Sequence, residues 1–202
     1  MPPRFPTLPV NSSVYLRELT TGDAARYFRY ITDPLVKPFV PANCVPGNQE
    51  KASRDLQFLI QLYSYNRGIY WAIANQQDHT LIGTCGFETW HKTHGRLELV
   101  YDLAPEYWGN NIMHEALKQI IGFAFSCMPI NRIEAVTIPT NMPSRRVLER
   151  LHFTEEGLLR SFRYFKHNYT DVIMYSLLRT DWPYSLDTYM DLPDHIRYFH
   201  EQ

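Results

Sequence analysis

From Ser13 to Leu19 apolar and polar residues alternate (SVYLREL), the period of a strand with one face buried. The next stretch, TTGDAARYFRYI, changes period: a cap of Thr and Asp leads into apolar residues at helical spacing. A loop broken by prolines, residues 33–47, precedes NQEKASRDLQFLIQLYSY, whose apolar positions again recur at helical intervals. GIYWAIAN and TLIGTCGFETW read as two strands joined at QQDH in a hairpin, and RLELVYDL as a third strand. Beyond PEYWGNN the pattern predicts a helix over about 109–127, then the strand RIEAVTI and the short helix MPSRRVLERL. Two strands close the series, FTEEGLLRSFRYF and YTDVIMYSLL, and no stretch repeats another.

Antiparallel strands, then strand–helix–strand, then a terminal hairpin predict an α/β fold: a mixed, mostly antiparallel central sheet with flanking helices. A right-handed crossover through the 109–127 helix sets its N-terminus at the carboxyl end of strand 96–103, where such sheets bind ligands. Unpaired N–H groups at a helix start form an anion site, and Gly109 frees the backbone to approach a ligand there. A glycine turn of purely structural use is the alternative reading.

A length of 202 residues fits one domain, with a leader (1–12), a main domain (13–182) and a C-terminal extension (183–202). The extension carries Tyr184, Tyr189, Met190, Tyr198 and Phe199 beside Asp187, Asp191 and Asp194. Aromatic residues at that density predict packing on the domain or on a partner subunit. With 20 basic against 21 acidic residues, no overall field draws nucleic acid or a membrane surface. No apolar run approaches the roughly 18 residues of a membrane span, and the N-terminus lacks a signal-peptide core. The scattered thiols Cys44, Cys85 and Cys127 point to reduced cysteines in a cytoplasmic protein. No metal is expected: HEALK at His114 ends in Lys118 where a zinc protease has histidine, and His91 and His94 read as turn residues.

IGTCGF, LELVYDLAPEYWGNNIMHEAL, INRIEAVTIPTNMPSRRVLERLHFTEEGLLR and YTDVIMYSLL, in that order, resemble the GNAT acetyltransferases. The nearest branch is that of the ribosomal-protein N-terminal acetyltransferases, and the likeness runs over roughly 13–182. The resemblance implies direct transfer of an acetyl group from acetyl-CoA, the cosubstrate, to a primary amine, foremost a peptide or protein α-amino group. It places the CoA pyrophosphate on the turn Trp108, Gly109, Asn110, Asn111, Ile112 and Met113, with Arg145 or Arg146 reaching toward phosphates. The pantetheine arm falls to backbone groups of Val100, Tyr101, Asp102 and Leu103 and to the side chain of Asn141. Glu98 matches the family's strand glutamate and is the expected general base, with Glu88 second. Many relatives set a proton-donating tyrosine seven residues after this asparagine, but Leu148 stands here, so the role passes to Ser144.

Plain alternatives remain for each: an outward-facing strand residue for Glu98, a helix cap for Ser144, a solvated helix face for the arginines. The chain departs from the family pattern at Asn111 and at His152, where glycine or alanine and glycine are usual, and GNNIM lacks the common basic residue. Acetylation of a small amine such as a polyamine or an antibiotic, or binding of acyl-CoA without turnover, are the competing functions. Either a monomer or a homodimer is compatible, and the acceptor pocket is expected between the 20–65 region and the terminal hairpin.

Overall fold

The computed structural model describes residues 5–165 and 168–186. Its strands are β1 (Leu8–Pro9), β2 (Val14–Glu18), β3 (Ile69–Asn75), β4 (Leu81–His91), β5 (Arg96–Leu103), β6 (Arg132–Thr137), β7 (Thr154–Phe165) and β8 (Asn168–Leu178). The helices are α1 (Ala24–Ile31), α2 (Gln49–Ser64), α3 (Ile112–Cys127) and α4 (Met142–Arg150). One sheet takes all the strands in the order β1-β2-β3-β4-β5-β6-β8-β7. Only β5 and β6, joined through α3, pair in parallel, so the sheet is mixed and mostly antiparallel as the sequence predicts.

Both faces of the sheet are covered, which is why β3 is apolar at nearly every position. Its Ile69, Trp71 and Ile73 join α3, α4 and β8 in one core; Tyr70 and Ala72 join α1 and α2 in a second core on the opposite face. α3 is apolar almost all round because it is wedged into the first core, from Ile112 to Cys127. The structure starts this helix at Ile112 rather than near 109, because Gly109 and Asn111 both take positive φ and cannot continue a right-handed turn.

The leader is not apart from the fold. Leu8 is buried, Pro6 accepts a 2.7 Å hydrogen bond from the Trp71 indole, and Phe5 packs edge-on against Trp71 and Tyr63. The start of the extension also packs: Tyr184 meets Trp182 at the end of the domain, and Ser126 donates to the Leu186 carbonyl at 3.0 Å. Asp187, Tyr189, Met190, Asp191, Asp194, Tyr198 and Phe199 lie outside the described residues. No helix among the described residues is long and apolar enough to cross a membrane.

Candidate active site

β5 and β6 share a ladder only across Arg96–Glu98 and Arg132–Glu134. Beyond it β6 stays with β8 as far as Thr137, while β5 runs on to Leu103 beside β4. The two strands part, and a cavity of about 800 Å³ opens between them, lined by Leu99–Leu103 on one side and Ala135–Ile138 on the other. The main-chain groups of β5 that would have met β6 face this space instead, an array ready for a ligand's amides or carbonyl.

At the carboxyl end of β5 the chain passes through a 3-10 turn, Pro105–Tyr107, into the start of α3. The Trp108 indole donates to the Leu103 carbonyl at 2.8 Å and the Asn110 amide donates to the carbonyls of Tyr107 and Trp108 at 3.3 Å, pinning the turn. Gly109 sits at φ +78°, and no atom beyond its chain neighbours lies within 4 Å of where a β-carbon would be. Asn111 holds φ +61°, a conformation asparagine tolerates better than most residues, so the departure from glycine leaves the turn intact. The first main-chain bond of α3 runs from Glu115 to Asn111 at 3.2 Å. The N–H groups of Ile112, Met113 and His114 therefore have no partner within the helix, and all three residues line the cavity. Arg146 and Arg150, one turn apart on α4, line the same cavity. Free amides at a long helix's N-terminus, an open space at Gly109 and two guanidiniums fit a pyrophosphate.

The other predicted residues separate. Trp108, Asn141, Ser144, Arg146 and Val100 through Leu103 all line the cavity; Asn110 supports the turn from outside. Arg145 turns inward to Tyr175 (3.1 Å), Glu155 (3.2 Å) and the Pro139 carbonyl (3.4 Å). The helix cap is Asn141, not Ser144: its Oδ1 accepts from the Ser144 N–H at 3.2 Å. Ser144 Oγ is then free to meet the Tyr101 hydroxyl at 2.7 Å. Burial pushes the Tyr101 phenol well up, with the Ser144 contact opposing, so the pair keeps its protons near neutral pH. Leu148, at the position of the family's tyrosine, is packed in the core with 1% exposure.

Two carboxylates on neighbouring strands have different surroundings. Glu98 takes a short ion pair with Arg163 of β7 and does not line the cavity. Glu88 does line it. The β4–β5 register slips between Phe87 and Thr89, leaving Glu88 as the extra residue of a bulge, a device that re-aims a side chain. Glu88 is an exposed residue, yet the cleft around it strips enough water to push its carboxyl up, and the Glu98 charge adds to this while Arg163 opposes it. Asp102 faces the other way from Tyr101, accepting from Tyr30 (2.6 Å) and from the Thr84 N–H (3.0 Å) and hydroxyl (2.9 Å). Those donors hold the carboxylate against a burial that pushes its pKa up, and they tie α1 to the sheet.

Glu88 ranked second in the sequence because a bulge has no signature in alternation. The phenol of Tyr101 and the guanidinium of Arg150 went unread, although Arg150 follows Arg146 by one helical turn. Among the described residues no three His, Cys, Asp or Glu side chains gather as a metal site.

A family model described as an acetyltransferase (GNAT) domain matches residues 13–154. The chain is 34% identical over 168 residues to the uncharacterised N-acetyltransferase p20 of Bacillus licheniformis, covering 83% of this chain and 93% of that protein. It is 23% identical over 156 residues to the [ribosomal protein uS5]-alanine N-acetyltransferase of Escherichia coli, covering 73% and 77%. Among solved structures, the ribosomal L7/L12 α-N-protein acetyltransferase RimL in complex with CoA superposes with a TM-score of 0.78 at 21% identity, covering 86% and 98%. The ribosomal-protein-S5-alanine acetyltransferase of Vibrio fischeri does so with 0.73 at 25% identity, covering 86% and 100%. The split sheet, the turn before α3 and these likenesses agree, and the chain belongs to the GNAT family of acetyl-CoA-dependent N-acetyltransferases.

Proposed function

We propose that this enzyme acetylates a peptide or protein α-amino group, with Glu88 as general base and the Tyr101–Ser144 pair as the proton source. The observation that carries the assignment is the bulge at Glu88, which puts a raised carboxylate on the same cavity as Tyr101 and Ser144. The peptide acceptor draws support from the relative named for acetylating a ribosomal protein.

Glu88 takes a proton from the incoming ammonium, a modest task because an α-amino group has a pKa of about 7.7–8.0. The amine nitrogen then bonds to the acetyl carbon as the bond from that carbon to sulfur breaks, and the nitrogen gives up its second proton to water. Main-chain N–H groups of β5 facing the split hold the oxygen that gains charge during this exchange. Tyr101 gives its proton to the departing sulfur while the Ser144 hydroxyl hydrogen-bonds the phenol oxygen, and the phenolate regains a proton from water as the products leave. The turn at 108–114 and the arginines of α4 hold the CoA phosphates, so binding energy far from the reacting atoms fixes their approach.

Thiol release from acetyl-CoA, followed over a panel of peptides, polyamines and aminoglycosides, tests the proposal. Peptides with a free α-amino group are expected to be turned over and their Nα-blocked counterparts not. Turnover confined to the small amines would overturn the peptide reading, and thiol release with none of them would point to binding without transfer.

A further inference from the structure

The half of the cavity away from α4 is walled by α1, α2 and strands β3 and β4, and apart from Glu88 its polar groups are not used by the mechanism above. Tyr27 and Tyr70 are only 7% and 5% exposed and both line the cavity. Neither hydroxyl makes a hydrogen bond within the described residues. Burial is the main cause pushing both phenols up, reinforced by Asp102 at Tyr27 and by Glu88 at Tyr70, so both stay neutral. Asp55 of α2 lines the same cavity, and its charge acts on the Tyr27 hydroxyl. Its Oδ1 is held by Lys51, but Oδ2 is closed off from solvent and has no partner. A buried carboxylate oxygen without a donor is costly, and the buried phenol oxygens of Tyr27 and Tyr70 on the same cavity offer further lone pairs.

The nearby cations do not fill this gap: Lys51 is spent on Oδ1 and Arg163 on Glu98. Resting on the reading of this cleft as the acceptor side, we infer that the substrate is a primary amine bearing a second cationic group. The reacting nitrogen lies at Glu88; the second cation donates to Asp55 Oδ2 and to the hydroxyls of Tyr27 and Tyr70. Phe58 and Leu59 on the same helix as Asp55 flank the apolar stem between the two charges. A peptide with lysine next to its amino terminus and a free diamine both present this chemistry.

Two matched pairs of amines separate the cases on the full-length protein: Ala-Lys-Ala amide against Ala-norleucine-Ala amide, and cadaverine against pentylamine. The readouts are kcat/KM and calorimetric binding to the CoA-loaded protein. The charged member of at least one pair is expected to be preferred by about tenfold or more, the effect of one hydrogen bond to a charged group. Asp55→Asn should bring that ratio close to one, and Lys51→Met, which leaves both oxygens for the substrate, should raise it. Because each ratio is taken within one preparation, incomplete folding of a variant cancels. No preference in the wild type, or a preference that survives Asp55→Asn, overturns the inference. A preference seen only with cadaverine supports Asp55 while overturning the peptide reading. Preferential binding without turnover supports it while overturning transfer.

Discussion

Glu88 and Glu98 stand on adjacent strands, and one bulge gives them different surroundings. Glu88→Gln should cut turnover by about 10²–10⁴-fold with CoA affinity kept, the usual loss for a general base. Glu88 must be ionised to accept a proton and its pKa is raised, so the rate should fall with falling pH sooner than for an ordinary carboxylate. Glu98→Gln removes the neighbouring like charge and releases Arg163, and both changes lower the Glu88 pKa. Its acid limb in a pH profile of kcat/KM should therefore move to lower pH while the plateau stays near normal. A plateau that collapses in Glu98→Gln would hand the base role back to Glu98. If Tyr101 is the proton donor, Tyr101→Phe and Ser144→Ala should each lower kcat more than CoA affinity, since the two hydroxyls are hydrogen-bonded at 2.7 Å. Asn141→Ala should instead cost about 1 kcal/mol of stability in a denaturant titration, because Asn141 is the cap. The residue types at the site were legible in the sequence. Their orientations were not, because a one-residue slip in register and a three-residue shift of a cap leave the same letters in place.

At the scale of elements, patterning located the main helices and strands because each buries its apolar face against a partner the sequence also encodes. β1 escaped, since two residues in a proline-rich leader carry no period. The start of α3 shifted for a physical reason: positive φ at Gly109 and Asn111 delays the helix and turns its first N–H groups toward the cavity. Gly109→Val should therefore weaken CoA binding severely. A branched side chain at φ +78° is strained by roughly 1–2 kcal/mol, and its methyls enter the space kept open for phosphates. Asn111→Gly should keep CoA affinity and Asn111→Val should lose much of it, because only the backbone conformation is at stake there. Calorimetric titration of CoA into folded variants checks all three; unchanged affinity in Gly109→Val would remove the pyrophosphate from this turn.

For the molecule as a whole, the elements divide between the two sheet faces: α1 and α2 border the half of the cavity proposed for the acceptor, while α3 and α4 border the half proposed for CoA and belong to the larger core. The chain after β8 returns to that larger core from behind. Trp182 is 8% exposed, packs 6.1 Å from Phe125 and 4.9 Å from Tyr184, and Tyr184 in turn lies under Lys118 (3.9 Å) and beside His152 (6.4 Å). His152, where relatives carry glycine, keeps the left-handed backbone of that turn at φ +67° and uses its ring against Tyr184. None of residues 179–186 lines the cavity, so their packing is separable from CoA binding. Trp182→Ala should cost about 3–5 kcal/mol, the usual loss for emptying a buried aromatic site. For a domain of this size that corresponds to a fall of about 10 °C in Tm. CoA affinity measured well below the new Tm should stay near the wild-type value, because the turn at Gly109 and the split between β5 and β6 are untouched. An unchanged Tm would show that the segment merely rests on the domain, and a lost CoA affinity at unchanged Tm would show that it acts on the site.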